Sequence, residues 1–198
     1  MVNTIFIPRT FRETRNGTEY LSLTSELFMN RKLFLVGDIN SSSMGVLMQS
    51  LMILDDMSDE PIDLYINSGG GEIHSGLAVY HYITEQLRSP IRTYCIGTVA
   101  SMGAVLYLSG GERYMYRGTE IMIHEPASIS GMSEKPDQLK DRLEILEKAK
   151  MMLCRIIADR TEHTLEEITE ITKKDAFYDA DEAVKFGLAT DIIGKEAV

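Results

Sequence analysis

The stretch Ile91-Arg92-Thr93-Tyr94-Cys95-Ile96-Gly97-Thr98-Val99-Ala100-Ser101-Met102-Gly103-Ala104-Val105-Leu106-Tyr107-Leu108 reads as an apolar strand, a run of small residues and an apolar helix, stopped by Gly110-Gly111. The same unit occurs twice more upstream. Strand patterns open at Leu33, Ile62 and Ile91, each 29 residues after the last, and helix patterns follow at Ser43 to Met57, Ile73 to Leu87 and Ser101 to Ser109. Three strand-helix units of one length imply right-handed crossovers and a mostly parallel sheet with helices outside it, an α/β fold. Ser101 then sits at a strand-to-helix turn, beside helix N-terminal amides that suit a nucleophile sharing its site with a developing oxyanion. The simpler reading is that its side chain caps the helix.

Two more windows bear on that choice. Ile62-Asp63-Leu64-Tyr65-Ile66 ends in Asn67-Ser68-Gly69-Gly70-Gly71, where consecutive glycines let backbone N–H groups turn toward a ligand. Glu120-Ile121-Met122-Ile123-His124-Glu125-Pro126 is a short strand delivering a histidine at its end, with Pro126 biasing Glu125 to extended geometry. Each has a plain alternative, a flexible turn and a core histidine. Together, a serine at a helix start, a glycine-turned backbone and a strand-end histidine fit acyl-transfer chemistry. Several aspartates near the C-terminus could orient the histidine. Asp179 and Asp181 read as the cap and first turn of a helix over Asp179 to Gly187, and Asp175 reads equally as a surface charge.

Asn67-Ser68-x-Gly70-Gly71, then Ala100-Ser101-Met102-Gly103-Ala104, then Met122-Ile123-His124-x-Pro126 resemble, in order and spacing, the proteolytic subunit of the Clp protease family. The resemblance runs from about Tyr20 to Ile193. It implies the fold shared by Clp proteases and crotonases, with a projecting handle helix. It implies a serine endopeptidase with Ser101 as nucleophile, His124 as base and Asp175 as its orienter, Asp175 being chosen by Thr172-Lys173-Lys174-Asp175-Ala176-Phe177. Gly71 and Met102 would donate N–H groups to the oxyanion, and no cofactor or metal is needed. The implied partners are unfolded polypeptides, an AAA+ unfoldase, and other subunits in stacked seven-fold rings, of this chain alone or mixed with a related one.

The bulk properties agree with such a protein. The chain has 198 residues, a net charge of −10, 25% charged residues and two cysteines with no metal or disulfide spacing. The charge argues against nucleic acid as a partner, and the chain shows neither a signal peptide nor an 18-residue apolar run, so a cytoplasmic protein without membrane contact is expected. Residues 1–18 read as an arm or hairpin, with disorder slightly favoured. Residues 19–132 and 162–193 form the head, 133–161 the handle helix capped at Ser133, and 194–198 a tail. From Glu134 to Arg160 the helix would be about 40 Å long, more than a compact domain needs. Leu139, Leu143, Leu146, Ala149, Leu153 and Ile156 mark its apolar stripe. Glu112 to Tyr116 and Glu120 to Ile123 read as a hairpin turned at Arg117-Gly118. His74 and His81 share a face of the second helix, which a solvated polar surface explains better than a metal.

Several positions depart from the family pattern. Gly69 replaces a proline, Glu125 a glutamine, and Ala127 to Ser133 a glycine-rich run. Lys174 replaces an arginine that pairs across rings, which a lysine cannot match bidentately. Asp63 stands where an aromatic commonly meets the unfoldase's docking loops. Two other functions fit the residues. A ring subunit could keep the triad residues yet serve as a structural partner of an active chain. A crotonase-like acyl-CoA enzyme would use the glycine-loop amides to hold a thioester enolate without needing Ser101, His124 and Asp175 together.

Overall fold

The computed structural model describes residues 10–15, 17–126 and 136–194. A hairpin comes first, β1 (Thr10–Thr14) antiparallel to β2 (Gly17–Leu21), so the disorder expected of the arm does not extend to these residues. After the short helix α1 (Leu23–Met29) come the three expected units. These are β3 (Lys32–Val36) with α2 (Ser41–Met57), β4 (Ile62–Ser68) with α3 (Ile73–Glu85), and β5 (Ile91–Ala100) with α4 (Met102–Tyr107). β3, β4 and β5 are parallel neighbours, and Ile62 pairs with Ile91 across the 29-residue repeat. Leu51, Leu54, Ile62, Leu64 and Ile66 are fully buried between sheet and helices, where an area law gives each on the order of 1.5–3 kcal/mol. The capping serines and asparagine do their part as well. The Asn40 side chain accepts from the N–H groups of Ser42 and Ser43 at the start of α2.

β6 (Glu112–Tyr116) and β7 (Glu120–Ile123) do not form the expected hairpin. Both run parallel to β5, β6 along Arg92 to Cys95 and β7 along Thr98 to Ala100. Gly118 at φ 83° and the Thr119 hydroxyl, which donates to Tyr116 O at 2.6 Å, turn the chain through a sideways step and not a reversal. The step matches an irregularity in β5 itself, where pairing with β4 jumps from Ile66–Cys95 to Ser68–Val99. Asn67 Oδ1 fills that bulge by accepting from Thr98 N–H at 3.1 Å. The sheet therefore branches: β6 goes on to β9 (Asp191–Ile193), whereas β7 pairs antiparallel with β8 (Ala176–Tyr178).

Helix α5 (Pro136–Thr161) leads into α6 (Leu165–Ile171) and α7 (Ala180–Phe186). Ser133, the expected cap of α5, and the tail beyond Gly194 lie outside the described residues. Leu153, Cys154, Ile156 and Ile157 of α5 are buried, but Leu143 and Ile145 are each 57% exposed. Among the described residues the stripe is therefore covered at Leu153 and Ile156 but not at Leu143, and Ile145 lies exposed beside it. Asp179 caps α7 by accepting from Glu182 N–H at 2.9 Å, and Gly187 ends the helix at φ 87°, both as read from the sequence.

Arg113 ties the C-terminal half together. It donates to Leu188 O (2.8 Å), Gly110 O (3.2 Å), Gly187 O (3.0 Å) and Arg160 O (3.3 Å). The ends of α4, α5 and α7 meet on this guanidinium, and their dipoles compensate its charge. Burial and the nearby Arg160 cation hold Arg113 below the usual arginine range. Arg113→Met is expected to cost about 3 kcal/mol or more by taking this donor from the Leu188, Gly187 and Arg160 carbonyls, Gly110 O keeping a hydrogen bond from Arg160 Nη2. Denaturant unfolding with an unchanged slope measures it.

Asp55 does the same between α2 and the turn after α3, accepting from the N–H groups of Arg88 (3.1 Å) and Ser89 (2.8 Å) and pairing with Arg88 Nε at 3.1 Å. Burial pushes its carboxyl up, but these hydrogen bonds and the guanidinium bring it below the ordinary range. A carboxyl depressed in the fold adds stability above its unfolded pKa that is lost as pH falls through the folded one. Stability is expected to decline below about pH 4, and more shallowly in Asp55→Asn, in thermal unfolding across that range.

Candidate active site

β5 delivers Ser101 directly to the start of α4. The residue takes φ 55° and ψ −124°, a backbone conformation that side-chain-bearing residues rarely adopt. It is held there by its N–H, which donates to Met122 O of β7 at 3.0 Å, and by its carbonyl, which accepts from Ala104 and Val105. The capping explanation fails on this geometry, because the Ser101 side chain makes no cap hydrogen bond. Among the described residues its hydroxyl has no hydrogen-bond partner. Strain at a nucleophile-bearing turn is what exposes a side chain at the top of a strand.

The glycine loop presses against this turn. A Cβ on Gly70, at φ 102°, would lie 2.7 Å from Ser101 Cβ and 3.1 Å from Met102 N. A Cβ on Gly71, at φ 147°, would lie 2.1 Å from Ile39 O. Only glycine fits either place. Ser68 Oγ accepts from Gly70 N–H at 3.1 Å, Gly70 O accepts from Ile39 N–H at 2.9 Å, and Glu72 N–H donates to Ile39 O at 2.8 Å. These bonds leave the Gly71 N–H over. Among the described residues neither it nor the Met102 N–H, the first of α4, has a partner. The Met102 amide lies at the turn that carries Ser101, with the positive end of α4 behind it, and the Gly71 amide follows Gly70, the residue packed on that turn.

His124 follows β7 and Asp175 precedes β8. Ile123 pairs with Ala176, so antiparallel pairing puts the next residue of one strand opposite the preceding residue of the other. His124 Nδ1 lies 3.3 Å from Asp175 Oδ1, with the imidazole 23% and the carboxylate 61% exposed. The other two aspartates are engaged elsewhere, Asp179 as a cap and Asp181 with Arg117 Nη1 at 3.0 Å. Ser101 and His124 line one small hollow with Ile73, Met102, Val105, Pro126, Leu153 and Ile157. Of the walls supplied by α5, Leu153 was legible as part of an apolar stripe and Ile157 was not, and neither was legible as part of a site. His81 pairs with Glu85 on its own helix at 2.7 Å, and among the described residues no cluster of His, Cys, Asp or Glu has metal-binding geometry.

A model of the Clp protease family matches residues 15–196. The chain belongs to the Clp protease family. The ATP-dependent Clp protease proteolytic subunit of Carsonella ruddii (strain PV) is 32% identical over 194 residues, spanning 97% of this chain and 98% of that protein. A Clp protease subunit of this kind is a serine peptidase by family, and the α/β fold with a mostly parallel sheet agrees with it. Glu125, which departs from the family's glutamine, donates its N–H to Thr172 O at 2.8 Å and pairs with Lys150 Nζ at 2.7 Å. Asp63, another departure, pairs with Arg92 Nε at 2.6 Å beside stacked Phe34, Tyr65, Tyr94 and Tyr114. Among the described residues no helix is long and apolar enough to cross a membrane.

Proposed function

We propose that this chain is the peptide-cleaving subunit of a ring-shaped chambered protease, with Ser101, His124 and Asp175 as its triad and Gly71 and Met102 as its oxyanion donors. The observation that supports this most is the uncapped Ser101 hydroxyl, held by a strained backbone next to the unpaired Met102 amide in a hollow shared with His124. Asp175 faces Nδ1 of the imidazole, which leaves Nε2 for the serine. Ser101 Oγ attacks the peptide carbonyl carbon while Nε2 takes its proton. The Gly71 and Met102 amides hold the resulting oxyanion, each donor contributing on the order of 3 kcal/mol. Collapse of the tetrahedral adduct breaks the C–N bond, the amine leaves with the proton from His124, and water releases the acyl group by the same steps. The serine-histidine hydrogen bond, not made in the free chain, would form as substrate binds, a common difference between free and occupied sites.

The exposed Leu143 and Ile145 on α5 support burial of that helix against another subunit, and by the family resemblance two seven-fold rings would stack through it. The relative's name carries ATP dependence, from which we draw an AAA+ unfoldase as the partner that delivers unfolded chains to this cytoplasmic chamber. Short peptides would need no such help.

The hollow's walls are apolar apart from the reacting groups, which favours an apolar over a charged side chain before the scissile bond. A panel of fluorogenic peptides tests the reading. Those with apolar residues at that position are expected to exceed their aspartate counterparts by at least about tenfold in kcat/KM. Cleavage of none of them would contradict the function, and equal cleavage would remove the hollow from specificity.

A further inference from the structure

We propose that the Glu125–Lys150 ion pair is a latch that fixes the strand end carrying His124 to helix α5, making Glu125 and Lys150 positioning residues for the base. The inference rests on the peptidase reading of His124 and adds to it the element that sets the imidazole's place.

Asp175 alone holds His124 loosely. Its carboxylate is 61% exposed, and the 3.3 Å approach to Nδ1 leaves the ring free to drift with the backbone. What fixes that backbone comes from the next residue. Glu125 N–H donates to Thr172 O at the end of α6, and its side chain reaches Lys150 Nζ at 2.7 Å in the middle of α5. Lys150 is only 19% exposed, so the ammonium is not swinging freely in solvent. Its hydrogen bond to Glu125 holds it above the usual lysine range, with a weaker pull from Glu147 on its own helix. Pro126 narrows the backbone freedom of Glu125, so a shift of one end of this dipeptide carries to His124.

Helix α5 is also where the hollow gets part of its wall, from Leu153 and Ile157. Leu153 is one turn beyond Lys150. A single helix thereby holds the base from behind and faces the substrate from the side. Any displacement of α5 moves both together, and an ångström of misplacement of a catalytic group can cost on the order of a hundredfold in rate.

The test uses the full chain and four variants, Glu125→Gln, Lys150→Met, Lys150→Arg and the exchanged pair Glu125→Lys with Lys150→Glu. Both positions are partly exposed and outside the core, and thermal unfolding checks that each variant folds. The two neutralising variants are expected to lose about tenfold in kcat with KM changed by less than about twofold, while Lys150→Arg and the exchanged pair recover to within about threefold of the parent. Loss of folded protein alone would also lower the apparent kcat at constant KM, so kcat is referred to the folded fraction measured by thermal unfolding; a positioning role lowers kcat per folded chain, whereas a purely structural one leaves it unchanged. Hydrogen exchange across 120–126 gives a second readout independent of activity. The Glu125 amide is expected to exchange faster in the neutralising variants and to regain protection in the exchanged pair. Unchanged kcat and unchanged exchange in the neutralising variants would overturn the latch, as would an exchanged pair no better than either of them. A parent chain that neither cleaves peptides nor reacts with a serine-directed phosphonate would overturn the peptidase reading instead, and exchange alone would then decide the latch.

Discussion

Ser101→Ala is expected to lower peptide cleavage by at least about 10⁴-fold and to leave folding stability within about 0.5 kcal/mol of the parent. The size follows from the role, since among the described residues Ser101 carries the only hydroxyl lining the hollow. The neutrality follows from the geometry. Ser101 Oγ caps nothing and has no hydrogen-bond partner among the described residues, so its removal leaves no orphaned group. The strain at φ 55° belongs to the backbone and is the same for alanine. A structural serine would show the reverse, with stability lost and activity following it down. Steady-state cleavage and denaturant unfolding on one preparation separate the two outcomes. Turnover in Ser101→Ala above one percent of the parent would mean that another group attacks.

Asp175→Asn is expected to cost about 10³- to 10⁴-fold in kcat with little change in KM. A carboxylate at Nδ1 keeps that nitrogen protonated and leaves Nε2 basic, whereas an amide can present its NH₂ and reverse the tautomer. The 61% exposure of Asp175 argues for the lower part of that range, because solvent already screens part of its charge. Asp179→Asn and Asp181→Asn are expected to leave kcat nearly unchanged, one being a helix cap and the other a surface partner of Arg117. A large kcat loss in either of those, with Asp175→Asn active, would move the orienting role.

The three strand-helix units were legible because a parallel sheet sets one length for each crossover, and the spacing of Leu33, Ile62 and Ile91 displays it directly. The junction of β6 and β7 was not. Arg117-Gly118 marks a turn in either case, and whether the chain reverses or steps sideways depends on the bulge in β5, more than ten residues upstream. β8 escaped notice because three residues of strand have no period to read, and they are strand only because β7 offers an open edge. At the site, Ser101, the paired glycines and His124 stood out by residue type at element ends. Which aspartate faces the histidine was open to the residues alone and was picked by the family motif. Nothing local foretold the uncapped side chain of Ser101, since it goes with a backbone at φ 55° and ψ −124° in place of the extended conformation of an ordinary cap. Lys150 was invisible for a similar reason, its partner being a strand end brought to α5 by the fold.

The central claim is that Ser101 is an activated nucleophile. Reacting the purified full chain with a serine-directed fluorophosphonate, followed by peptide mapping, tests it most directly. The expected result is one adduct per chain, on Ser101, formed in step with loss of peptide cleavage and much more slowly in His124→Ala. An adduct on another residue, or full cleavage after Ser101 is modified, would contradict it.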